Sequence, residues 1–101
     1  MQQLPFELPE FEKDIEEMII EEDFGNDYYG NLIIQNYPNL QSIIVKKNSL
    51  QSLNSLKICN CEQLKTIEIE DGVFYVVKNV IIESIPSNSI LVYIFLIYNH
   101  S

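Results

Sequence analysis

Leu53-Asn54-Ser55-Leu56-Lys57-Ile58-Cys59-Asn60-Cys61-Glu62-Gln63-Leu64-Lys65-Thr66-Ile67-Glu68-Ile69-Glu70-Asp71-Gly72 is the stretch whose reading decides the fold. It carries one pattern twice: Leu53-x-x-Leu56-x-Ile58-x-x-Cys61, then Leu64-x-x-Ile67-x-Ile69-x-x-Gly72. An earlier version is Leu40-x-x-Ile43-x-Val45-x-x-Asn48. Residues such as Ile67 and Ile69 alternate with period two, which puts both side chains on one face of a short strand. The apolar residues three apart on either side carry the chain around a corner. Spacing by three also suits a helix, but β-branched Ile and Val hold these positions among Asn, Ser, Thr and Gly neighbours.

Working outward, the columns recur with a period of 24. Leu32, Leu56 and Val80 share this step, as do Ile34, Ile58 and Ile82. So do Ile43, Ile67 and Leu91, and Val45, Ile69 and Tyr93. A strand of three residues does not persist alone, so each is expected to pair with its equivalent one turn away. Strands related by a fixed repeat run parallel, about 4.8 Å apart. Two strand segments per turn predict a β-rich solenoid with short parallel strands on two facing sides of a thin core. Asn36, Asn60 and Ser84 form a corner column in which short polar side chains bond to turn backbone or to the next coil; a chain with ten Asn also produces such matches by composition alone.

The spacing of residues 40–45, 53–58 and 64–69 resembles that of leucine-rich repeats. Gly72-Val73-Phe74-x-x-Val77-x-x-Val80 resembles the bacterial-surface-protein type found in protists and bacteria, with Val73 at the family's Ala and Val77 at its Cys. The resemblance covers residues 29–85. It implies a curved or flattened scaffold that binds other proteins and carries no catalysis.

The 101 residues form a single domain, with residues 86–101 as a terminal apolar strand, or a piece of a longer protein. Residues 1–28 are a degenerate repeat or a cap. Pro9 to Asp23 suits an amphipathic capping helix with Phe11, Ile15, Met18 and Ile19 as its stripe. The favoured reading is a degenerate repeat, because Ile15-x-x-Met18-x-Ile20 reproduces Leu64-x-x-Ile67-x-Ile69 and Phe6-x-Leu8-x-x-Phe11 echoes Leu56-x-Ile58-x-x-Cys61. At the other end Leu91 and Tyr93 are expected to face inward and Val92 and Ile94 outward. That leaves a strand apolar on both sides which needs a cover, from self-association or from missing coils.

Ile, Leu, Val and Phe supply 37 residues, which excludes a disordered acidic tail. The net charge of −9 argues against nucleic acid, whose phosphates need clustered cations. The N-terminus lacks the basic and apolar segments of a signal peptide. The most apolar run, Ile90 to Tyr98, has nine residues against the roughly 20 that a membrane helix needs. Two cysteines, Cys59 and Cys61, suit a reducing, cytoplasmic setting and fall short of a zinc ligand set. No cofactor is expected.

Function, on this reading, lies in the outward columns. Ile33, Lys57 and Ile81 form one exposed stripe, and Val92 and Ile94 extend the candidate protein-contact surface. Lys46–Glu70 and Lys47–Asp71 are expected to pair across neighbouring coils as aids to register. Nine acidic residues between Glu7 and Asp23 suit a basic partner or a solvated surface. No nucleotide loop is present, and the single histidine, His100, stands far from any candidate nucleophile. The expected function is a non-catalytic scaffold for protein–protein interaction. The alternative is a fragment of a parallel β-helix enzyme acting on polysaccharide, whose carboxylate pair spacing alone does not exclude.

Overall fold

A computed structural model describes residues 5–70, 79–83 and 91–94. Within them lie seven strands: β1 (Glu17–Ile20), β2 (Gly30–Gln35), β3 (Ser42–Val45), β4 (Leu53–Cys59), β5 (Thr66–Ile69), β6 (Asn79–Glu83) and β7 (Leu91–Ile94). The chain alternates between two parallel sheets. Odd-numbered strands form one, in the order β1-β3-β5-β7, and even-numbered strands the other, in the order β2-β4-β6. No helix occurs among the described residues. The N-terminal segment therefore takes the strand alternative, with Met18 and Ile20 buried and Glu17 exposed as the alternation requires.

Register follows the sequence period over most of the molecule. Leu32, Leu56 and Val80 are successive backbone partners, as are Ile34, Ile58 and Ile82. Ile43 pairs with Ile67 and Val45 with Ile69, a step of 24. The first step is one longer: Met18 pairs with Ile43 and Ile20 with Val45. Corners absorb the extra residue without disturbing the ladder. The turn bonds Ile15 N–H to Glu12, Leu40 N–H to Tyr37 and Leu64 N–H to Cys61 recur at those same steps.

The last step departs from expectation. Ile67 pairs with Val92 and Ile69 with Ile94, so β7 is shifted by one residue from the columns that place Leu91 and Tyr93 inward. Because strand faces alternate, a slip of one exchanges the two faces. Leu91-Val92-Tyr93-Ile94 is apolar at every position, so its pattern sets no register.

Inward residues of both sheets form one buried cluster. Met18, Ile20, Ile43, Val45, Ile67 and Ile69 meet Leu32, Ile34, Leu53, Leu56 and Ile58, with Tyr37, Leu40, Leu50, Cys61 and Leu64 filling the corners. Each such side chain contributes roughly 1.5–3 kcal/mol by leaving water. Phe6, Phe11, Ile15, Phe24 and Tyr28 pack against the cluster at its N-terminal end. There the ring of Tyr28 meets those of Phe6 and Phe24 edge-on, at centroid distances of 5.7 and 5.8 Å. At the other end Ile82, in an inward column, is 36% exposed.

Among the corner columns that use left-handed backbone, two are built from Asn and Asp. Asn36 and Asn60 follow β2 and β4 at φ 64° and 54°, and Asp23 and Asn48 follow β1 and β3 at 63° and 61°. Asn and Asp tolerate this conformation better than other side chains do. Asn60 Nδ2 donates to Asn36 Oδ1, so the expected corner ladder joins these two turns, at an exposed rather than buried position. Ser84, the next rung, lies outside the described residues, as does Gly72.

Candidate functional site

Outward residues of the three-stranded sheet make three columns. In the first, Ser55 Oγ donates to Asn31 Oδ1 at 2.8 Å. In the third, the Cys59 thiol points at Gln35 Oε1 at 3.8 Å, and Glu83 lies beyond Cys59 in register. The middle column holds Ile33, Lys57 and Ile81, the expected contact stripe. Ile81 is 42% exposed, and Lys57 is half exposed with its ammonium 3.3 Å from Glu83 Oε1. Ile33 must be corrected. At 9% exposure it is buried, because the chain around Phe6 runs beside β2 and the Ile33 N–H donates to the Phe6 carbonyl.

The remaining expected contacts, Val92 and Ile94, stand on β7 as backbone partners of the core residues Ile67 and Ile69. This differs from the outward register expected for them, and their side chains lie outside the described residues. Lys46 and Glu70 do not form the expected ion pair. Glu70 Oε1 instead accepts the Lys47 backbone N–H at 3.1 Å, so its carboxylate serves the corner backbone. The expected partner of Lys47, Asp71, lies outside the described residues.

Sequence reading missed a polar cluster where the N-terminal segment crosses the end of β2. Lys13 Nζ bonds the Glu7 carboxylate and the Gln35 carbonyl, the latter at 2.8 Å, and sits 4.2 Å from the centre of the Tyr37 ring. Gln35 Nε2 donates to the other Glu7 oxygen at 3.3 Å. The Lys13 hydrogen bond holds the Glu7 carboxyl below the usual carboxylate range. Burial pushes the Tyr37 phenol upward. Nothing periodic marks this cluster; the only signal was one lysine inside the acidic run of residues 7–23.

Asn26 was also missed. Its Nδ2 bonds the Asn48 carbonyl and its Oδ1 accepts the Gln51 N–H, both at 2.9 Å, while Ser52 Oγ reaches its carbonyl at 2.7 Å. One side chain thereby ties two corners together.

For chemistry these groups offer little. Both cysteines are free, and burial raises the Cys61 thiol, which keeps it protonated at neutral pH and a poor nucleophile. No group of three or more His, Cys, Asp or Glu is placed to hold a metal among the described residues. A shallow, open hollow lined by Asn36, Pro38, Asn60 and Glu62 marks the Asn corner. No described helix is long and apolar enough to cross a membrane. No known protein family matches the chain, and neither does any curated protein or solved structure.

Proposed function

We propose that the chain is a leucine-rich-repeat scaffold, a β-rich solenoid that binds another protein and carries no catalysis of its own. The observation that supports this best is the recurrence of the same strand pairs, turn bonds and left-handed corners at a nearly constant step along the chain. Stacked turns of this kind present their outward side chains as a fixed, extended lattice, which suits recognition of a protein surface. The middle column is its contact stripe, now Lys57 and Ile81 without Ile33. The apolar Ile81 beside a lysine–carboxylate pair gives a mixed patch, and a net charge of −9 favours a protein partner over nucleic acid. The free thiols accord with a cytoplasmic setting.

The test compares the intact chain with a Lys57→Glu, Ile81→Asp double variant whose circular dichroism and melting match it. Proteins captured by the intact chain are purified and titrated against both. A partner whose affinity falls at least about tenfold on the variant supports the reading, since truncating an interface centre costs that much or more. Partners that bind both forms equally, or none that bind in purified form, overturn it.

A further inference from the structure

We draw no further inference here: the strongest candidate, the outer face of the four-stranded sheet, where Ile19 and Ile44 are half-buried backbone partners beside Glu17 and Glu68, is an unpartnered apolar pair with an acidic rim, and nothing in the structure shows what covers it.

Discussion

Gly25 and Leu50 occupy equivalent corner positions on successive turns, and both adopt left-handed backbone, at φ 70° and 51°. Leu50 bears this conformation while fully buried, and its side chain fills the space that Gly25 leaves empty. A Cβ on Gly25 would stand 2.8 Å from Leu50 Cδ2 and 3.0 Å from the Tyr28 ring. Gly25→Ala therefore adds a clash to an unfavourable backbone conformation. It is expected to cost about 1–3 kcal/mol, read as a lower urea midpoint with an unchanged slope. Strand phase gives a second prediction at this scale. Ile67→Asp puts a charge between the sheets and abolishes the cooperative transition, whereas Glu68→Ala, on the outer face, shifts stability by under about 0.5 kcal/mol. Equal effects in thermal melts would contradict the alternation of buried and half-buried residues along β5.

At the scale of the element, the N-terminal segment carrying Glu7 and Lys13 joins β2 through groups whose charge is set by pH. Glu7 has its pKa lowered from 4.5, chiefly by the Lys13 hydrogen bond. A depressed carboxylate adds stability that is present above the unfolded value and disappears as the pH falls through the folded one. The urea midpoint of the intact chain should exceed that of Glu7→Gln at pH 7, and the gap should close below about pH 4.5 as the carboxylate protonates. A gap that persists in acid would assign the effect to packing instead. Much of the element pattern was legible in the residues themselves. Ile43/Val45, Ile67/Ile69 and Leu56/Ile58 alternate cleanly because one face of each strand is wet. The Asn36–Asn60 rung was legible because short amides are suited to left-handed corners. The candidate site was legible only in part. Ile33 is covered by the segment around Phe6: Phe6-x-Leu8-x-x-Phe11 echoes Leu56-x-Ile58-x-x-Cys61 and Phe6 does pair with Leu32, but the outward columns were read without that first, degenerate segment beside them. The register of β7 was hidden because a strand apolar at every position sits equally well one residue over. Glu70 was read as an ion-pair partner because column spacing fixes neighbours but not which group a carboxylate prefers, and a backbone N–H lay within reach.

At the scale of the whole molecule, the two sheets share one core, so neither has an interior of its own. Unfolding is expected to be a single event. Far-ultraviolet circular dichroism, which reports the strands, and tyrosine fluorescence, which sums over all six tyrosines including the core-packed Tyr28 and Tyr37, should give coincident urea transitions. Separate midpoints would mean that some tyrosine-bearing part of the chain melts apart from the sheets. The shared core also bears on the tolerance of the step between turns. The longer step from β1 to β3 and the shorter one from β3 to β5 lie side by side with their ladders intact, since the difference is taken up at corners that already bend through left-handed residues. In hereditary terms, a single-codon insertion at such a bend is nearly silent, whereas the same insertion within Ile67–Ile69 turns a greasy face to the solvent. Length variation in descendants of this gene should therefore gather at the bends, and tandem copying of one whole period is the lengthening mutation that the architecture accommodates most readily.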